Sequence, residues 1–99
     1  MKLTREQAIE DCKKLWDDIE KSGLSKADFL FTTEEGEEWL ERYPGNCCPL
    51  CTLILLMYRQ STCSYCTLIE QYGKGCYELG FEDETIPTQE WLDCIKNLE

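Results

Sequence analysis

The hydrophobic positions at the start of the chain recur at the spacing of one helical face. After Thr4, a residue suited to cap a helix, apolar side chains return every three or four residues, and mainly charged side chains fill the other faces. The apolar positions of this segment are Ala8, Cys12, Leu15, Trp16 and Ile19. Ser22 and Gly23 end it, because glycine readily adopts the left-handed conformation that follows many helices. The pattern predicts a long first helix with one buried face.

Shorter helices are predicted along the rest of the chain. Ser25, Thr33 and Thr88 can each cap one, because a hydroxyl oxygen accepts a hydrogen bond from the first helical turn. The apolar residues after these caps are Phe29, Leu30 and Phe31, then Trp39, Leu40 and Tyr43, and finally Trp91, Leu92, Ile95 and Leu98. Residues 67–72 have the pattern of another short helix, and the apolar run 53–58 favours a helix because leucine and methionine dominate it. The predicted fold class is mostly α.

Composition divides the chain into three parts of one small domain, because 99 residues leave little room for a second core. Residues 1–46 are helical and acidic, and residues 47–77 are rich in cysteine and nearly uncharged. Residues 78–99 contain an acidic loop and the last helix. The core of so short a chain is modest, so we expect a metal or disulfides to stabilise it.

The eight cysteines are expected to be in their reduced form. The opening MKLTREQAIEDCKK has no apolar stretch of signal-peptide length, and the longest apolar run, 53–58, is too short to cross a bilayer. These features predict a cytoplasmic protein. In a reducing cytosol, paired cysteines bind metal more often than they form disulfides.

Two C-x-x-C pairs lie in the central part of the chain. Each pair lets one tight turn direct two thiolates at a single ion, and two such turns complete the tetrahedron that Zn²⁺ prefers. The predicted zinc ligands are Cys48, Cys51, Cys63 and Cys66. A site of four thiolates leaves no open position for water or substrate, so its expected role is structural. We therefore predict a fold of short helices around a four-cysteine zinc site.

Other assignments of the cysteines stay open. Cys47 can replace its neighbour as a ligand, Cys76 can displace one member of the second pair, and the first helix can bring Cys12 close. A thioredoxin-like redox pair is the second interpretation, but that motif accompanies a βαβ pattern, which the sequence lacks. Cys94 fits a buried apolar position on the last helix.

The residue types argue against an enzyme. The chain has no histidine, which is the commonest general base. It also lacks the C-x-E box of the zinc deaminases and any glycine pattern of a phosphate-binding loop. A closed four-thiolate site offers no position for metal-assisted hydrolysis. We predict a non-catalytic binding protein.

The net charge favours a basic protein as the partner. Twenty acidic and ten basic side chains give a formal charge of −10, which disfavours direct contact with nucleic acid or an anionic membrane. Residues 27–41 and 78–93 contain acidic residues and no basic ones. The candidate partner-binding carboxylates in them are Glu34, Glu35, Glu37, Glu38, Glu82, Asp83 and Glu84.

Aromatic residues are further candidates for partner contacts, since they dominate the binding energy of many interfaces. Those singled out, on the condition that they are exposed, are Trp39, Tyr43, Tyr58, Phe81 and Trp91. Tryptophans at helical spacing are more often part of a core, so burial is the expectation for Trp39 and Trp91.

Several short motifs are shared with a known group of proteins. They are Thr4-Arg5-Glu6-Gln7-Ala8, Leu15-Trp16, Cys48-x-x-Cys51, Cys63-x-x-Cys66-x-Leu68 and Gly75-Cys76. In these motifs the chain resembles small zinc-binding phage and prophage proteins of Gram-positive bacteria. It departs from them in three places: Cys12 stands where members usually carry histidine, Thr67 replaces a proline, and Cys47 is additional. Because histidine and cysteine both ligate zinc, the first departure favours Cys12 as a further ligand candidate.

The resemblance implies an anti-CRISPR function in the cytoplasm of a bacterial host. Such an acidic inhibitor, a monomer or a small homo-oligomer, would bind the basic lobes of a type II RNA-guided nuclease and block DNA loading. These nucleases hold their heteroduplex in a positively charged channel, which would attract an acidic protein. The alternative is a zinc-stabilised adaptor in phage replication or transcription that binds its partner through an apolar patch.

Overall fold

The computed structural model describes residues 3–43, 48–50, 52–53, 67–74, 76, 78–81 and 84–99. The helices in these ranges are α1 (Arg5–Ser22), α2 (Lys26–Thr32), α3 (Glu34–Arg42), α4 (Thr67–Tyr72) and α5 (Gln89–Lys96). Residues 49–50 and 52–53 are also helical, and none of the described residues lies in a strand. The mostly helical fold class is confirmed. Among the described helices, none combines the length and the apolar character that a bilayer crossing requires.

Polar caps determine where four of the helices begin. The hydroxyls of Thr4, Ser25, Thr33 and Thr88 each accept a hydrogen bond from the backbone N–H three residues further on. Gly23, with a φ of 73°, ends α1 in the left-handed conformation, and its N–H donates to the carbonyl of Glu20. All four caps predicted from the sequence are therefore confirmed.

A single residue, Thr33, separates α2 from α3. Its hydroxyl donates a hydrogen bond to the carbonyl of Phe29 at 2.6 Å and accepts one from the N–H of Gly36 at 3.0 Å. The two helices pack so closely that a Cβ atom added at Gly36 would lie 2.0 Å from the carbonyl oxygen of Phe29. Glycine is therefore required here, and the α2–α3 corner, defined as residues 29–40, has a fixed geometry.

One hydrophobic core draws side chains from all the described helices. The five apolar positions of the predicted stripe on α1 are all buried, as are the four apolar residues predicted for the last helix. Trp16 packs edge-on against Phe81 and Trp91, with ring centroids 5.6 and 5.3 Å apart. The ammonium group of the buried Lys26 lies 4.9 Å from the centroid of the Phe81 ring, within the range of a cation–π contact.

Hydrogen bonds connect α4 to the end of the chain. The hydroxyl of Tyr72 donates to the carbonyl of Cys94 at 2.6 Å. The side chain of Gln71 donates to the carbonyl of Asn97 at 2.7 Å and accepts from the N–H of Glu99 at 2.7 Å. These bonds hold the segment after α5 against α4, so residues of the central and last parts of the chain pack together.

Candidate protein-binding surface

Five exposed carboxylates follow one another along α3. The sequence EEGEEWLER buries Gly36 and Trp39 and leaves five glutamates exposed: Glu34, Glu35, Glu37, Glu38 and Glu41. One side of α3 contacts the neighbouring helices, and the rest of the helix surface is exposed. Glutamates occupy most of this exposed surface. None of these carboxylates forms an ion pair or hydrogen bond with another described residue. We call this row the α3 acidic face.

Arg42 does not neutralise the α3 acidic face, although it belongs to the same helix. Its guanidinium lies 3.1 Å from a carboxylate oxygen of Asp11 and 5.5 Å from the ring centroid of Trp39. The cation is therefore held against α1 and the aromatic side of α3. Lys21 lines a depression together with Glu35, but its ammonium group pairs with Asp17 at 2.8 Å. The exposed carboxylates of α3 therefore form no ion pair with a described residue.

Asp11 positions the end of α3 against α1. Its side chain is 3% exposed and accepts hydrogen bonds from the hydroxyl of Tyr43 and, at 2.8 Å, from the amide of Gln7. A second link between the two helices joins the indole N–H of Trp39 to a carboxylate oxygen of Asp18 at 3.0 Å. Because a buried carboxylate is stable only when it is paired, this network fixes which side of α3 faces solvent.

Most of the aromatic candidates from the sequence lie in the core. Trp39, Tyr43, Phe81 and Trp91 are all less than 10% exposed, so the burial expected of the two tryptophans is confirmed. Tyr58 lies outside the described residues. These four aromatic side chains are therefore not accessible to a partner.

Among the described residues, the exposed aromatic side chain belongs to α2 and is one that the sequence did not single out as a candidate for partner contacts. Phe31 is 75% exposed, whereas its neighbours Phe29 and Leu30 are buried. Three consecutive residues cover about 200° of a helix, which is wider than the face that a short helix buries. The run of three apolar residues in a helix of seven was the available signal that one of them would be exposed.

A shallow depression of about 380 Å³ lies beside Phe31, on the same side as the α3 acidic face. Leu30 and Leu40 contribute apolar surface to it, and Glu34 and Glu37 contribute carboxylates. The α2–α3 corner thus presents an exposed aromatic ring, a partly apolar depression and two carboxylates on one continuous surface. We call this arrangement the Phe31 patch.

The second acidic stretch is described in part. Glu84 is exposed in the loop before α5, and Glu82 and Asp83 lie outside the described residues. Ile86 lies in the same loop, with 66% of its surface accessible, and is the second large exposed hydrophobic residue among those that the structure describes. The carboxylates of Glu90 and Asp93 are also exposed, on α5.

Of the four predicted zinc ligands, Cys48 lies within the described residues, and Cys51, Cys63 and Cys66 lie outside them. Cys48 is half-buried and packs against the core. Its carbonyl accepts a hydrogen bond from the N–H of Thr52 at 2.9 Å, so a helical turn begins at this cysteine.

The alternative ligands are described more fully than the predicted ones. Cys12 is buried within α1, Cys76 is half-buried, and Cys47 lies outside the described residues. Cys94 is half-buried on α5, less buried than the apolar position expected from the sequence. Among the described side chains, no three from histidine, cysteine, aspartate or glutamate come close enough to hold a metal ion. The four-cysteine site stays a prediction.

No family model matches this chain, no curated protein matches it, and no solved structure matches its fold. The resemblance to phage proteins therefore stays a prediction as well. Surface chemistry, above all that of the α3 acidic face and the Phe31 patch, is the basis for a functional proposal.

Proposed function

We propose that this protein is a non-catalytic, zinc-stabilised phage or prophage inhibitor that binds a basic nucleic-acid enzyme, with a type II RNA-guided nuclease as the target. The inhibitor occupies the positively charged channel of the nuclease and prevents DNA loading, in the cytoplasm of the bacterial host. The observation that supports this proposal is the α3 acidic face, five exposed carboxylates that form no ion pair with another described residue.

The charge density of the α3 acidic face is comparable to that of a nucleic acid, although lower. At a rise of about 1.5 Å per residue, the axial distance from Glu34 to Glu41 is about 10 Å, so the five carboxylates lie about 2.6 Å apart along the axis on average. Duplex DNA carries one charge per roughly 1.7 Å of its axis. A channel lined with lysine and arginine would therefore attract this helix as it attracts a phosphate backbone.

In this proposal the zinc ion stabilises the fold that carries the binding surface, and it takes no part in a reaction. We propose Cys48, Cys51, Cys63 and Cys66 as its ligands, and Cys12, Cys47 and Cys76 remain the alternatives. The spacing of the two C-x-x-C pairs supports this ligand set. Zn²⁺ held by four thiolates stabilises the fold, because metal binding and folding are coupled in such sites.

The proposal is tested by co-elution of the purified protein with a guide-loaded type II nuclease at low and moderate salt. We expect a complex that excludes target DNA and weakens as salt rises. The test variant reverses four charges of the α3 acidic face, Glu34→Lys, Glu35→Lys, Glu37→Lys and Glu38→Lys. The control reverses four exposed carboxylates on α1 and α5, Glu6→Lys, Glu10→Lys, Glu90→Lys and Asp93→Lys.

The two variants have the same net charge, so they separate a specific surface from a general electrostatic effect. We expect the α3 variant to lose at least tenfold in affinity while the control loses less, because close charges contribute more than distant ones under salt screening. Equal losses in the two variants would contradict a specific role of α3. Complete absence of a complex with nucleases from several Gram-positive hosts would contradict the nuclease as target.

The second candidate function is a zinc-stabilised adaptor in phage replication or transcription. The observation that favours it is the exposed Phe31, since an adaptor of this kind binds through apolar contacts. It predicts binding that is insensitive to salt and unaffected by charge reversal on α3. The co-elution series at two salt concentrations therefore distinguishes the two candidates.

A further inference from the structure

We infer that Phe31 is an aromatic anchor, and that the partner carries an apolar pocket bordered by lysine or arginine side chains. This inference rests on the proposed function, because it concerns the same surface and specifies the partner that the surface fits. It differs from a purely electrostatic mechanism in one respect: affinity and selectivity come from an apolar contact inside an acidic rim.

The exposure of Phe31 is the first observation behind this inference. At 75% accessible, the ring keeps most of its apolar surface in water, although the other aromatic side chains of the described helices α1, α3 and α5 are buried. Moving that surface into a pocket is favourable, and truncation of such aromatic residues is among the costliest changes at protein interfaces.

The surroundings of the ring indicate the chemistry of the pocket. Glu34 and Glu37 line the depression beside Phe31, and neither carboxylate is paired with a described residue. Their charges favour lysine or arginine at the edge of the pocket. An arginine there can also stack on the face of the ring, which is negative.

The geometry of the Phe31 patch is set before any partner binds. The hydroxyl of Thr33 links the last turn of α2 to the first turn of α3, and Gly36 allows their close contact. Because these two turns are already held in place, they lose little conformational entropy when a partner binds. The loss of affinity that such ordering causes is therefore small.

The negative charge of the Phe31 patch favours a basic protein over the other possible partners. A second copy related by twofold symmetry would place the same carboxylates opposite each other, which is repulsive. Anionic lipid and nucleic acid are repelled by the same charges. A protein surface with an apolar pocket and a cationic border complements both features of the patch.

The closing experiment uses two synthetic peptides of equal charge and length, one alternating lysine with leucine and the other alternating lysine with serine. Their dissociation constants for the full-length protein are measured by calorimetry at low salt. We expect the leucine peptide to bind about tenfold more tightly, since one modest apolar contact of about 1.4 kcal/mol corresponds to that ratio. The preference is expected to vanish in Phe31→Ser.

The matched control is Ile86→Ser, which removes another large hydrophobic side chain that is exposed. It should retain the tenfold preference, and Phe31→Leu should retain part of it. Both serine variants replace exposed residues, so their melting temperatures are expected to stay close to that of the wild type. An unchanged preference in Phe31→Ser, or no preference in the wild type, overturns the inference.

The peptide measurement is independent of the nuclease, so the two proposals can fail separately. A tenfold preference that depends on Phe31, without any nuclease complex, supports the anchor and rejects the nuclease as its target. A nuclease complex that is lost on charge reversal but unchanged in Phe31→Ser supports the proposed function and rejects the anchor. Concentration-dependent dimerisation that disappears in Phe31→Ser would identify a second copy as the occupant and overturn the inference.

Discussion

Asp11 shows how a single polar residue can orient a helix in this protein. Its buried carboxylate accepts hydrogen bonds from Gln7 and Tyr43 and pairs with the guanidinium of Arg42. These partners come from the same turn of α1 and from the end of α3. The α3 acidic face is turned to solvent because its opposite side is held by these contacts.

Replacement of Asp11 by alanine should therefore destabilise the protein by about 2–4 kcal/mol, because it removes the buried carboxylate that Tyr43 and Arg42 share. The free energy of unfolding is measured by urea denaturation followed by circular dichroism. Asp17→Ala is the control, since Asp17 is an exposed partner of Lys21 on the same helix and such pairs contribute about 0.5 kcal/mol or less. Similar losses in the two variants would contradict the role of Asp11.

At the scale of helices and turns, local sequence signals were sufficient in most places. The caps at Thr4, Ser25, Thr33 and Thr88 were predictable because each bond spans three residues of the same segment. The tight contact at Gly36 was not predictable, since it depends on the angle at which α2 meets α3. The exposure of Phe31 depends on the same angle.

Gly36→Ala provides a test of the α2–α3 corner. In an exposed helix interior this change stabilises by up to about 1 kcal/mol, because alanine is the better helix former. Here we expect destabilisation by about 1–3 kcal/mol, since the new methyl group would lie 2.0 Å from a backbone oxygen and the two helices must separate.

The control for Gly36→Ala is Glu38→Ala, an exposed position on the same helix, which is expected to change stability by less than about 0.5 kcal/mol. Thermal denaturation of both variants measures the difference. A gain of stability in Gly36→Ala would show that the two helices are not in close contact. Because the change moves Phe31 relative to α3, it should also reduce the preference for the lysine–leucine peptide.

At the scale of the whole molecule, the described residues form one core. We propose that the central cysteines stabilise it further by binding Zn²⁺. Four thiolates must lose their protons to bind Zn²⁺, so the affinity for the metal should fall as the pH is lowered. The apolar positions 50, 53 and 68 of the cysteine-rich part belong to the core. Loss of the metal is therefore expected to affect the packing of the whole chain.

Cys51→Ser and Cys66→Ser should each abolish stoichiometric zinc binding and lower both helicity and melting temperature. Metal content is measured on the purified protein, and helicity by circular dichroism before and after chelation. Cys94→Ser is the control, because this residue on α5 is not a proposed ligand. A metal-free protein with the helicity and melting temperature of the untreated protein would contradict a structural zinc.

Sequence alone determined the helical class, the helix starts, the apolar face of α1 and the negative charge of α3, because each depends on residues within a few positions of one another. The candidate partner-binding carboxylates of α3, from Glu34 to Glu38, could also be identified from the local sequence. Tertiary structure alone decided that Phe81 joins the core, how Arg42 is paired and that Phe31 is exposed beside an acidic depression. These features depend on contacts between helices that are distant in sequence, and helical periodicity does not determine the angles at which helices pack.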